Sequence, residues 1–477
     1  MQTYGDGIFK DTDGAVYYLN EKDLVKNMLE TSFQHTHNLS ATGATETLRY
    51  RISAGYTTHD GVLITSKDKF ERKNINVFLS ADLNKWFTQE VNFGYANSTS
   101  KEPRSEGGGI YSTRLVSFYP EGTMPKELGF VGGGLPFFTP ANQLGWANTS
   151  TDKTSNPRIF LKSILKPIKS LEVNFEYTYD RKDFDHHYYS GSTLYTTVQY
   201  GAQKAPENDH LDKYKRTLVY NAINLYANYA FKLNENRFKL MAGFNQESHD
   251  DDLIDVKSYG QIVTNVPSLA GGTQNINTRD AYDEFAVRGA FFRVNYSYMD
   301  RYLFEANGRY DGSSKFPKNS RFGFFPSVSA AWNVAEEAFM APTRRWLDGL
   351  KLRASYGMIG NQNVPNYAYI PTMSVNNKYA GWLDNGTYVA AINSLPGLVS
   401  QNFTWEKAKT LDFGLDVTLF GGKLNAVFDW YQRRTDGMLA PGMELPAVFG
   451  TDAPHENTAD MRTNGWELDL NWQQRFG

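Results

Sequence analysis

The chain's 477 residues are enough for two or three ordinary domains or for one large barrel. Its 49 Lys+Arg against 52 Asp+Glu leave a formal net charge of −3, so neither a nucleic-acid nor a polybasic membrane-surface footprint is present. The absence of cysteine excludes disulfides and thiolate metal sites, and no run approaches the roughly 18 apolar residues of a membrane-spanning helix.

The 30 Tyr, 31 Phe and 40 Gly make a β-rich profile. Strands that cross a membrane escape a hydropathy search, because half of their residues face water. The opening MQTYGDGIFKDTDG is polar and acidic and has no export signal, and residues 21–30 suit a short helix in a polar lead-in over 1–34. Fifteen strand-like segments follow, at 35–43, 47–58, 72–83, 86–98, 157–167, 170–182, 214–232, 236–249, 284–299, 301–311, 322–334, 348–359, 403–420, 422–435 and 463–476. Most run 10–15 residues, beyond the about 5–6 of a soluble strand and enough for the about 9–11 of a tilted membrane strand.

The links between these segments alternate. Short ones lie at 44–46, 84–85, 167–169, 234–235, 299–300 and 421–422. Long, polar, Gly-rich ones lie at 59–71, 99–156, 183–213, 250–283, 312–321, 360–402 and 436–462. One intermediate link, 335–347, takes a short-side position and holds a helical turn at 335–341. Tight turns at one end and large loops at the other are the topology of an outer-membrane barrel, and a soluble meander has no reason to place every long loop on one rim.

Parity supports the same reading. Tyr302, Phe304, Ala306, Gly308 and Tyr310 oppose Glu305, Asn307, Arg309 and Asp311; Leu350, Leu352, Ala354, Tyr356 and Met358 oppose Lys351, Arg353 and Ser355. Leu411, Phe413, Leu415, Val417 and Leu419 oppose Asp412, Gly414, Asp416 and Thr418. Strict alternation is the strand period, and full charges along one side suit a wall between lipid and a watery lumen. Glu305, Arg309, Asp311, Lys351, Arg353, Asp412 and Asp416 are therefore expected to line that lumen. Trp86, Phe87, Phe231, Tyr298, Tyr302, Trp346 and Phe420 stand near the short turns, where an interfacial aromatic girdle belongs. Single-chain bacterial barrels have even strand numbers, and open edges are not viable in lipid, so fifteen strands are expected to be an interior piece of a longer chain.

Catalysis finds little footing. HExxH, GxSxG and GxxxxGK[ST] are absent; the glycines at 107–109 and 132–134 lack the strand–helix context of a phosphate cradle, and SILK at 163–166 spells SxxK without its companion motifs. The protein is expected not to be an enzyme. Asp250, Asp251, Asp252 and Asp255 place oxygen ligands close together, as a calcium site would, with a solvated acidic loop as the alternative. His186 and His187, following Asp183 and Asp185, would with that acidic loop suggest a protease mouth. The binding candidates are aromatics of the long loops: Phe118, Tyr119, Trp146, Tyr188, Tyr189, Tyr379 and Trp382, with Asp384 and the amides of Asn376, Asn377 and Asn385 beside Trp382. Rings of this kind stack on sugars or pack on peptides; self-packing of the loops is the alternative.

YDGSSKF (310–316), RFGFFPS (321–327) with Trp332 after it, LKLRASYGMIGN (350–361), WEKAKTLD (405–412), DWYQRRTDG (429–437) and NGWELDL (464–470) resemble the SusC/RagA-like family of TonB-dependent outer-membrane transporters of Bacteroidetes. NLSATG (38–43), residues 49–61 and YPEGT (119–123) follow more loosely. The resemblance implies an all-β, antiparallel transmembrane barrel of about 22 strands, of which this chain carries about 15, without the plug domain and TonB box. It implies active import of oligosaccharides or oligopeptides through the outer membrane, with TonB and a SusD-like surface lipoprotein as partners. The residues themselves lead to no expected nucleic-acid partner and, calcium apart, no cofactor. A passive porin, an outer-membrane barrel enzyme, a soluble β-rich adhesin or carbohydrate-binding protein, and an inactive truncated reading frame are the rival readings.

Overall fold

A computed structural model describes residues 28–104, 133–197, 201–373, 396–400 and 403–474, with short pieces at 2–3, 8–10, 12, 16–18, 375–376, 383–384, 387–388 and 391–392. The proposed lead-in helix falls mostly outside the described residues. Fifteen strands form one antiparallel sheet in which every strand pairs with its neighbours in chain order. They are β1 (Gln34–Ala44), β2 (Leu48–Asp60), β3 (Lys69–Asn84), β4 (Phe87–Arg104), β5 (Asn148–Ile168), β6 (Leu171–Ser190), β7 (His210–Leu233) and β8 (Asn236–Tyr259). β9 (Ile276–Tyr298), β10 (Tyr302–Ser313), β11 (Phe322–Asn333), β12 (Leu347–Asn361), β13 (Glu406–Leu419), β14 (Leu424–Pro441) and β15 (His455–Trp472) complete it. The all-β partial barrel expected from the alternation is the fold present.

The turns of the short-link rim are tight enough to need left-handed backbone. Met299 and Asp300 have φ of 52° and 55°, the pair of positive φ values that a hairpin of primed type demands. Asp300 is held there by Arg237 at 2.8 Å, so a strained turn is tied down by a charged bond.

Pairing brings the apolar residues of successive strands into rows. Tyr296, Phe304, Ala330, Ala354, Phe413 and Trp430 follow one another across β9 to β14. Phe304, Phe413 and Tyr310 are 44%, 49% and 52% exposed, whereas the opposite face half-buries its charges: the side chains of Glu176 and Asp311 are 17% and 13% exposed. This inverts the pattern of a soluble protein and suits a wall with lipid outside. Along the short-link rim the rings form a girdle: Phe231 stacks on Phe238 (4.9 Å), Phe238 meets Tyr296 (5.0 Å), and Tyr302 stacks on Trp332 (6.3 Å). Tyr302 Oη and Trp332 Nε1 both donate to Glu337 in the 334–346 link, and Tyr302 foremost holds that carboxyl below the usual range.

The buried side chains that group into clusters among the described residues lie at the long-loop rim. One cluster joins Met28, Leu63, Leu144 and Ala147, where the short helix α1 (Pro140–Trp146) docks on the β2–β3 loop. The Lys67 ammonium clamps it, donating to the carbonyls of Leu144, Gly145 and Ala147 at 3.1, 2.9 and 2.8 Å. The other joins Phe316, Phe325, Val364, Phe403 and Trp405.

The wall is uneven. β7, β8 and β9 have 24, 24 and 23 residues, but β10 and β11 have 12 each. At about 3.3 Å per residue and a tilt near 45°, the twelve-residue step between β8 and β10 lifts the tall side by roughly 28 Å.

Candidate functional site: the lumen wall and the mouth

The polar parity of the strands lines the inner face with charges that are paired, across strands or along one. Lys162 meets Glu176 at 3.1 Å, and Tyr226 Oη donates to the same carboxylate at 2.9 Å. Arg293 meets Glu305 at 2.7 Å, Arg309 meets Asp311 at 2.8 Å, and Arg353 bridges Asp416 (2.7 Å) and Asp429 (2.9 Å). The seven residues proposed for the lumen all project to this side by strand parity, and Glu305, Lys351, Arg353 and Asp412 share one concavity of about 500 Å³ with Arg237, Lys239 and Asn295. A wall of mutually paired charges is wet without holding any one sign of ligand tightly.

Nearer the mouth, the four strands β6 to β9 supply a second cavity, of about 320 Å³. Tyr220 of β7 meets His249 of β8 at 4.7 Å, and His249 stacks on Phe285 of β9 at 4.3 Å. The Lys315 ammonium lies 4.4 Å from the Phe285 ring centre. Asp180, Asp251 and Asp283 add carboxylates. Asp251 is gripped by Arg216 at 2.8 and 2.6 Å, and that guanidinium holds the carboxyl below its ordinary range. Asp283 accepts from Asn366 Nδ2 at 2.6 Å. Ring faces beside carboxylates and amides suit a ligand with both a C–H face and hydrogen-bond donors, as sugars and peptides have. No single stretch of sequence marks this chamber, because its members come from β6, β7, β8, β9 and two loops and meet only through register and loop path.

The low side of the wall is roofed by loops. Phe316, fully buried, packs against Phe403 (5.6 Å) and Trp405 (5.1 Å), and Trp405 stands edge-on to Phe325 (5.2 Å). Trp405 Nε1 donates to Arg321 O at 2.9 Å, and Thr404 Oγ1 to Ser320 O at 2.8 Å. The segments YDGSSKF, RFGFFPS and WEKAKTLD, distant in the chain, thus meet in one aromatic knot. Residues 362–373 leave the knot at Val364 and strap across to β9, where Asn366 bonds Asp283 and Tyr367 Oη accepts from Glu284 N at 3.1 Å.

Of the proposed binding residues, Phe118, Tyr119, Tyr379 and Trp382 lie outside the described residues, as do Asn377 and Asn385. Asp384 falls in a two-residue strand, Leu383–Asp384, paired with Thr387–Tyr388; Asn376 lies in Val375–Asn376, paired with Ala391–Ile392. Trp146 closes α1 with its ring 6.4 Å from Phe138. Tyr188 and Tyr189 are not loop residues but the end of β6, and alternation sends them to opposite faces. Tyr188 is 6% exposed, donates to Arg104 O at 3.1 Å and is spent on packing. Tyr189 donates to Asp209 at 2.9 Å, and burial pushes its hydroxyl up to about 12.

The acidic run also lies on a strand. Asp250 and Asp252 project to one face of β8, Asp251 and Asp255 to the other, and Asp251 is already taken by Arg216. Among the described residues no three acidic or histidine side chains converge as a metal site. His186 and His187 likewise alternate, with His186 Nδ1 2.5 Å from Asp152 and the His187 imidazole held low by burial. A period-two backbone thus separates side chains that a loop could have gathered: neither Asp250, Asp251, Asp252 and Asp255 nor His186 and His187 share one face.

Residues 126–477 match the family described as TonB dependent receptor-like, beta-barrel. The chain is 27% identical, over 98% of its length, to the TonB-dependent receptor SusC of Bacteroides thetaiotaomicron, and 28% identical, over 91%, to the TonB-dependent receptor P3 of Formosa agariphila. It covers 47% and 43% of these relatives, so it spans about half the length of the curated proteins it matches. Among solved structures, the RagAB peptide importer in the 'open-open' state superposes with a TM-score of 0.75 at 20% identity, over 98% of this chain and 50% of that one. The single-layer wall, its outward aromatic belt and the match over most of its residues agree: the chain belongs to the TonB-dependent receptor-like β-barrel family.

Proposed function

We propose that the protein carrying this barrel imports oligosaccharides or oligopeptides across the outer membrane, driven by TonB and assisted by a SusD-like surface lipoprotein. The observation that carries this reading is the two-faced wall: rings outward, paired charges inward, and every long loop on one rim. The inner face would pass a polar oligomer from one weak contact to the next, while the Tyr220–His249–Phe285 chamber would meet it first, below the mouth. RagAB, a peptide importer, and SusC, a TonB-dependent receptor, support the transport class; the cargo is left between glycan and peptide. Deleting the parent gene and measuring uptake of labelled oligosaccharide and oligopeptide panels tests the reading. Uptake should vanish in the deletion strain, return with the intact gene, and fail without TonB. Persisting uptake in the absence of TonB would identify a passive pore instead.

A further inference from the structure

The outer face of the barrel carries a furrow that its girdle does not account for. Ala330 and Ala354 pair directly across β11 and β12 and form its floor. Phe304 stands beside Ala330 on one bank, and Phe413, stacked on Trp430 at 6.1 Å, stands beside Ala354 on the other. The furrow encloses about 780 Å³ and is almost wholly apolar. Its end toward the short-link rim is bounded by Tyr302, Trp332 and Leu352, and the first two are locked by their bonds to Glu337. Phe339 of the 334–346 link closes on Trp332 at 6.5 Å and is 64% exposed, so this link lies along the membrane interface.

The same link ends in Arg344 and Arg345, both exposed, and no ion pair engages either among the described residues. The neighbouring acids are occupied: Glu337 by Tyr302 and Trp332, and Asp348 by the amides of Gly421 and Gly422 at 2.7 and 3.1 Å. Glu336 is exposed but eight residues earlier, about 16 Å along a 3₁₀ path. From Arg345 to Leu352 is seven residues, at most roughly 23 Å along an extended chain and roughly 16 Å along the bilayer normal at a tilt near 45°, which matches the roughly 15 Å of half the hydrocarbon thickness. A headgroup at the arginines therefore puts its acyl chain in the furrow.

We propose that this furrow and the Arg344–Arg345 pair form a binding site for one anionic phospholipid of the leaflet on the short-link side. The acyl chain lies over Ala330 and Ala354 between the Phe304 and Phe413 banks, and the phosphate lies on the two guanidinium groups. An annular lipid without headgroup recognition would have no use for two cations at the end of the groove; a zwitterionic lipid would gain little from them.

Native mass spectrometry of the delipidated full-length protein in detergent, titrated with phosphatidylglycerol or phosphatidylcholine of matched chains, tests this. The wild type should prefer phosphatidylglycerol. In the double variant Arg344→Gln/Arg345→Gln that preference should fall by roughly thirtyfold, the attraction expected of two surface cations, while binding of phosphatidylcholine stays. Ala330→Phe/Ala354→Phe fills the floor with rings that still face lipid, and should lose both lipids. Equal binding of the two lipids by the wild type, a preference that survives the arginine variant, or unchanged binding by a folded alanine variant would each overturn the proposal. Should the alanine variant not fold, the exposed arginines decide alone.

Discussion

Replacing Phe316 by alanine isolates the aromatic knot from the wall beneath it. Phe316 is fully buried, its ring lies 5.6 Å from Phe403 and 5.1 Å from Trp405, and none of the strand ladder runs through its side chain. Deleting such a ring costs about 3–5 kcal/mol, transfer and cavity together. Because that energy holds two loops rather than the sheet, it should appear as local opening, raised roughly a hundredfold to several thousandfold. Trypsin reads this directly on outer membranes, since Lys315, Lys318 and Arg321 lie in or beside the freed loop. Cleavage there should accelerate while the barrel keeps its heat-modifiable mobility in gels. Phe316→Leu retains most of the volume, costs about 1 kcal/mol, and should restore resistance. Unchanged cleavage in Phe316→Ala, or loss of the heat-modifiable band with it, would refute the separation of knot from wall.

Lys67→Met keeps the stem but removes the ammonium that three carbonyls share; amides of α1 should exchange faster, by an opening energy lower by roughly 2 kcal/mol, with those of β5 unmoved. The Arg216–Asp251 pair, partly open to water, contributes about 1 kcal/mol. The depressed Asp251 carboxyl makes that contribution present above the ordinary carboxylate range and lost only as pH falls through its lowered folded value. Melting followed from neutral into acid pH should show a step that Asp251→Asn abolishes. In the chamber, Phe285→Ala removes a ring stacked on His249 and should raise the KM for uptake roughly three- to tenfold with maximal flux retained; an unaltered KM for every tested cargo would exclude the chamber from the path.

Much of the wall was legible because a membrane strand repeats one decision every two residues. Lipid demands an apolar side chain and the lumen a polar one, so Tyr302 to Tyr310 and Leu411 to Leu419 announce both their structure and their orientation. Above the bilayer that constraint ends. Asp250 to Tyr259 and Ile276 to Asp283 are strand with water on both sides, and their unpatterned polarity reads as loop. The acidic run at 250–255 sits in such a stretch, so nothing in the sequence announces that its side chains alternate. The chamber and the knot were hidden differently. Phe316 meets Trp405, and Asp283 meets Asn366, across long stretches of sequence, and only the pairing register and loop path bring them together.

The step in wall height between β9 and β10 has a mechanical meaning. Strand pairing between them stops at Val287 and Ser313. Beyond it, the β9 margin is met by individual donors and acceptors: Ser314 N on Ala286 O, Ser314 Oγ under Ala286 N, and Tyr367 Oη under Glu284 N. A zipped ladder yields only as a unit, but stitches like these can be undone one at a time. The notch is thus the part of the rim able to loosen gradually, while the palisade of β7 to β9 stands or swings whole.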